Sequence, residues 1–197
     1  MKQADKIAQK RILEKINLIR NSGDVNPNES PEERKAAIQV CKKDFAKTVK
    51  RYFPHYADSP SASFHIELAN YLSRHLTAKA FAEWGRGLAK SVVSDILIPF
   101  WLWLRGEKVY MGLVGNSYDK ASQLLEDLRL EWENNPQIIA DHGEQKNLGS
   151  WEDGFYMTKG GFIGQALGMG QSCRGLRVKT LRPNYIVMDD CETAGTT

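Results

Sequence analysis

The octapeptide Trp84-Gly85-Arg86-Gly87-Leu88-Ala89-Lys90-Ser91 closes on a lysine and a hydroxyl, between two apolar runs. Such an order suits phosphate chemistry. A triphosphate is held by converging backbone N–H groups, the positive end of a helix dipole and a point charge on its outer phosphates. A hydroxyl after the lysine can then bind Mg²⁺. Against the pattern GxxxxGK[ST], Lys90 and Ser91 fit, whereas Trp84 stands at the first glycine and Ala89 at the second. Gly85 and Gly87 supply backbone freedom, and Ala89 is the smallest departure from glycine provided that its φ stays negative.

A second group lies far downstream. Tyr185-Ile186-Val187-Met188 reads as a short buried strand that delivers Asp189, Asp190 and, two residues on, Glu192 at its carboxyl end. In an open α/β sheet, ligands sit beyond the carboxyl ends of the strands, so this strand and the Lys90 loop are expected to converge there. Asp189 would hold Mg²⁺, and a neighbouring carboxylate would polarise the attacking water. The competing reading of the same residues is that Lys90 caps a helix and the aspartates open a surface turn.

The elements that must position these groups follow from periodicity. Apolar residues at helical spacing from Asp5 to Arg20 predict a first helix, and Ser30-Pro31-Glu32-Glu33 predicts a capping box opening a second that runs to Tyr52. Residues 54–61 are rich in proline and serine and mark a boundary between an N-terminal helical appendage, residues 1–58, and a core, residues 59–197. In the core a helix over Phe64–His75 leads into Ala78–Trp84, expected as a buried strand. A helix over Lys90–Leu104, kinked by Pro99, comes next. A strand over Lys108–Val114, a helix over Asp119–Trp132 and a hairpin around Gly160-Gly161 complete the alternation. Alternation of this kind predicts an α/β sheet with helices on both faces.

Composition adds bounds. The chain has 197 residues, 42% hydrophobic and 26% charged, which suits one soluble domain with a buried core. Val92–Leu104, the longest apolar stretch, is too short for a membrane span, and the N-terminus lacks a secretory h-region, so a cytoplasmic protein is expected. Cys41, Cys173 and Cys191 show no zinc-ligand spacing, nor do His55, His65, His75 and His142. Residues 1–58 carry 13 Lys and Arg against 8 Asp and Glu, and the helix face with Lys43, Lys47, Lys50 and Arg51 permits contact with a polyanion. Phe53, Phe64 and Trp84 are the aromatics available to stack on a base, although core packing is the ordinary role of such residues.

Four stretches in order carry a family resemblance. They are Arg86–Ser91, Gly112–Asn116 with the helix after it, Gly168–Arg177, and Arg182–Asp190. Together they resemble the ATPase domain of phage terminase large subunits, whose deviant Walker A loop has an early arginine and admits alanine before the lysine. The resemblance covers roughly residues 80–192. It implies a P-loop NTPase of the RecA-like type, with a mostly parallel sheet, that binds ATP and Mg²⁺ and drives double-stranded DNA into a procapsid. The implied partners are the portal protein, the terminase small subunit and further copies of the chain in a ring.

Residue by residue, the resemblance implies that Arg86 touches phosphate, Lys90 the β and γ phosphates, and Ser91 and Asp189 the magnesium. Where the family places a catalytic glutamate this chain has Asp190, so either Asp190 or Glu192 activates water, Asp190 being favoured. Arg174 matches the family's arginine-finger position, with Arg177 the fallback. Only seven residues follow Asp190, so the chain reads as truncated after Walker B, with weak activity expected alone. A non-catalytic DNA-binding or assembly module with a degenerate loop is the alternative from another class, and a helicase-like ATPase the alternative among enzymes.

Overall fold

The computed structural model describes residues 3–23, 25–57, 59–171, 175–189 and 191. Helix α1 (Gln3–Asn21) packs on α6, with Ile19 buried beneath it. Helix α2 (Pro31–Lys43) starts at the expected capping box: the Ser30 side chain accepts from the Glu33 N–H while the Glu33 carboxylate accepts from the Ser30 N–H. The helix expected to continue to Tyr52 breaks at Asp44. That residue is extended, and its carboxylate accepts from the Lys47 N–H, so it restarts the chain as α3 (Phe45–Tyr52).

Helix α4 (Ser63–Arg74) follows. A π-helical stretch, Val92–Leu97, then continues directly into α5 (Ile98–Leu104). Strand β1 (Tyr110–Gly115), α6 (Tyr118–Asn134), α7 (Pro136–His142) and strands β2 (Trp151–Glu152), β3 (Phe155–Met157), β4 (Ile163–Gly168) and β5 (Tyr185–Met188) complete the described chain.

The strands form one sheet in the order β2-β3-β4-β1-β5. β1 lies between β4 and β5 and is parallel to both, while β2-β3 and β3-β4 are antiparallel. The mostly parallel, RecA-like sheet expected from the sequence is therefore incorrect: the sheet is mixed. Its cause is the short connection between β3 and β4, which turns through Gly160-Gly161. A connection of that length can join only antiparallel neighbours, whereas α6 and α7 provide the long crossover that parallel strands require.

Ala78–Trp84, expected as a buried strand, pairs with no strand, and Phe81 is 91% exposed. Three of its seven residues are alanine and two are charged, so little apolar area would be gained by placing it in a sheet. β5 is accordingly an edge strand rather than a buried one. Tyr185 and Val187 face the core, whereas Ile186 and Met188 on its other face are largely exposed, so helices do not cover both faces there.

One hydrophobic cluster joins the helices to the sheet. Phe45, Val49, Tyr52 and Phe53 pack with Phe100, Trp101, Trp132, Met111 and Leu113. The indole N–H of Trp101 donates to the Cys41 carbonyl at 3.0 Å, satisfying a polar group that burial would otherwise strand. No helix among the described residues is long and apolar enough to cross a membrane.

Candidate functional site at the carboxyl end of β5

The first turn of the helix that starts at Lys90 meets the carboxyl end of β5. Ser91 Oγ donates to Asp189 Oδ2 at 2.5 Å, although 98 residues separate them. Asp189 is placed by the sheet itself, since its N–H continues the ladder by donating to the Val114 carbonyl at 3.0 Å. Ser91 is placed by the loop. Leu88 N–H closes a turn on the Gly85 carbonyl, Gly87 adopts φ +84°, and the Ala89 carbonyl accepts from the Val93 N–H at 2.9 Å. Lys90 therefore enters the helix beside Ser91, with its side chain exposed.

Ala89 departs from its expected backbone. Its φ is +55°, the left-handed region, so the proviso that this position keeps φ negative fails. Glycine at this point of the consensus answers a conformational demand that alanine meets under strain.

A brace from outside the loop helps to hold it. A ring nitrogen of His65, Nε2, lies 3.0 Å from the Leu88 carbonyl, and the rings of Phe64, His65 and Trp84 pack together with centroids 4.4–5.0 Å apart. Phe64 and Trp84, named from the sequence as possible base-stacking residues, thus stand next to the loop, whereas Phe53 is fully buried in the core.

The π-helical stretch has its own logic. Within it the Val93 carbonyl accepts from the N–H five residues on, at Ile98. The corresponding donor for Ser94 would be residue 99, which is proline and has none. Tyr185 of β5 supplies the missing bond: its hydroxyl donates to the Ser94 carbonyl at 2.8 Å. Strand and helix are thus joined twice, at Ser91 and at Ser94.

Asp95 completes the group. It is 3% exposed, one turn below Ser91, with Oδ1 accepting from Ser94 Oγ at 2.6 Å and Oδ2 meeting no donor. Burial pushes its carboxyl up to about 8; the Ser94 hydrogen bond opposes that shift, and the charge of Asp189 adds to it. The sequence offered a signal for Asp95, an ionisable residue inside an apolar run, but it read there only as an interruption. The Tyr185 hydroxyl and the His65 brace had no local signal.

Other predicted residues divide clearly. Gly85, Arg86, Gly87 and Leu88 are exposed on the loop, and Arg177 is exposed after the fourth motif. Arg174, Asp190 and Glu192 lie outside the described residues. On the basic face, Lys43, Lys47 and Lys50 are exposed, whereas Arg51 is committed to Asp141 and Glu29 through bonds of 2.8–3.0 Å. A cavity of about 250 Å³ lined by Glu29, Pro31, Arg34 and Ile38 belongs to that helical region and contains none of the loop residues.

Among the described residues no group of three or more histidines, cysteines and acidic residues is placed to share a metal ion. Ser91 and Asp189 do fit a hard divalent cation, as a hydroxyl and a carboxylate already in contact. No protein family, curated protein or solved structure matches the chain.

Proposed function

We propose that the chain is a nucleoside-triphosphatase module of the kind that powers DNA packaging in tailed phages, using ATP and Mg²⁺ in the host cytoplasm. The observation that carries this reading is the Ser91–Asp189 contact at the start of a helix, with Lys90 exposed beside it. Helix-start N–H groups and the Lys90 ammonium bind and orient the phosphates, and Arg86 adds a second cation from the loop. Ser91 and Asp189 hold the magnesium, which supplies charge neutralisation on the phosphates when bound. Asp190 or Glu192 orients the attacking water, and Arg174 from a neighbouring copy completes the charge. Double-stranded DNA, a portal protein and a small subunit are the partners that the order of the four motifs supports.

A second reading has an observation of its own. The loop is not backed by a strand, and Ala89 holds a strained conformation, which favours a non-catalytic DNA-binding or assembly module contacting polyanions through Lys43, Lys47 and Lys50. Calorimetric titration of ATP with Mg²⁺ into the wild type and Lys90→Ala separates the two. Binding that disappears in Lys90→Ala supports the triphosphatase. A folded wild type that binds no ATP refutes it and leaves the assembly module, whose DNA affinity would fall steeply with salt.

A further inference from the structure

Two carboxyl groups meet beneath the loop with too few protons between them. Asp95 and Asp189 lie within hydrogen-bonding reach of each other, acceptor against acceptor. Asp189 Oδ2 has the Ser91 hydroxyl. Asp95 Oδ1 shares the Ser94 hydroxyl, whose single proton also has the Lys90 carbonyl at 3.0 Å as an acceptor. Asp95 Oδ2 has no donor at all, in a residue that is 3% exposed. A buried carboxyl oxygen left bare costs a few kcal/mol on the order of a lost charged hydrogen bond, so something must occupy the space in front of it.

We propose that Asp95, Asp189 and Ser91 together form a binding site for a hard divalent cation that fills without any nucleotide, Asp95 being the ligand that makes this possible. A hydroxyl and one carboxylate make a weak site that ordinarily needs phosphate oxygens to complete it. Adding a second carboxylate supplies two negative charges and several oxygens, the donor set that Mg²⁺ and Mn²⁺ prefer, with water filling the remaining positions. The π-helical stretch is consistent with this use. Widened turns of this kind recur at functional positions, and this one carries Asp95.

The inference rests on the same Ser91–Asp189 contact as the triphosphatase reading, but it makes no use of Lys90. The two therefore fail separately. The test is Mn²⁺ alone, titrated into nucleotide-free full-length protein and followed by the loss of the free-Mn²⁺ electron paramagnetic resonance signal. One Mn²⁺ per chain is expected. Affinity should fall at least tenfold in Asp95→Asn and in Asp189→Asn, and stay at the wild-type value in Lys90→Ala and in Glu144→Gln, a surface change. Wild-type affinity in a folded Asp95→Asn overturns the proposal. So does a wild type that binds no Mn²⁺, which would mean that the two carboxyls share only a proton. Should Asp95→Asn fail to fold, the thermal midpoint of the wild type decides: it must rise with Mn²⁺ concentration, as linkage requires of a ligand that binds only the folded state, and a midpoint that does not move refutes the site.

Discussion

Replacing Tyr185 with phenylalanine removes one oxygen atom and leaves the ring that packs against the core. The hydroxyl donates at 2.8 Å to the Ser94 carbonyl, which has lost its helical donor because residue 99 is proline. Leaving a half-buried carbonyl without a partner costs about 1–2 kcal/mol. For a chain of this size that is a fall of roughly 3–6 °C in the unfolding midpoint.

The second half of the prediction isolates the cause. In Pro99→Ala the main chain regains an N–H, and Ser94 obtains a donor whichever way the helix settles: from residue 99 if the wide turn persists, or from Ile98 if it relaxes to the α form. Tyr185→Phe should then cost less than about 0.5 kcal/mol, a coupling near 1 kcal/mol in a double-mutant cycle. Urea unfolding of the four proteins measures it. Equal costs in both backgrounds would show that Tyr185 and Pro99 act independently, and would refute the link between the missing proline N–H and the Tyr185 hydroxyl.

Four further outcomes are expected. Asp141, fully buried, accepts from Arg51, Tyr52 and Gln137, so Asp141→Ala should destabilise the protein by about 3–5 kcal/mol in denaturant unfolding, and a loss under about 1 kcal/mol would contradict the network. Ala89→Gly relieves a left-handed residue at about 1–2 kcal/mol but adds freedom to the unfolded chain, leaving a net gain of up to about 1 kcal/mol; a measurable loss would argue against the φ of +55°. The Arg51 hydrogen bond, with help from Arg34, holds the Glu29 carboxyl below the usual carboxylate range. Its contribution is therefore present above the unfolded value and lost as pH falls through the folded one, so Glu29→Gln should flatten the acid limb of stability below about pH 4.5 and leave its slope near neutrality unchanged. Burial pushes the Cys41 thiol up to about 11, and the side chain is enclosed, so Cys41 should resist a thiol reagent in the native state and react only on unfolding, as peptide mapping would show.

The elements that the sequence disclosed are those whose cause is local. The Ser30–Glu33 capping box, the alternation around Gly160-Gly161 and the β-branched run of β5 each needed only a few neighbouring residues to be recognised. Asn135-Pro136 is equally local, a cap followed by proline at the first helical position, and it begins α7, which apolar periodicity alone does not reveal. Ala78–Trp84 failed for the opposite reason. A strand exists only where a partner strand lies alongside, and sequence pattern measures apolarity without measuring partnership. At the site, Lys90, Ser91 and Asp189 stood out because their residue types and order match phosphate chemistry. Asp95 and Tyr185 did not, because one is defined by a missing donor and the other by a bond to a carbonyl 91 residues away.

The double fastening between β5 and the helix above it sets how the loop can move. A rod held at two points is fixed; released at one, it swings about the other. Should a ligand draw the Ser91 hydroxyl away from Asp189, the Tyr185 bond remains about one helical pitch below, roughly 5 Å, and serves as the pivot. The loop would then tip like a latch on its pin, with its largest travel at Gly87 and almost none at Pro99.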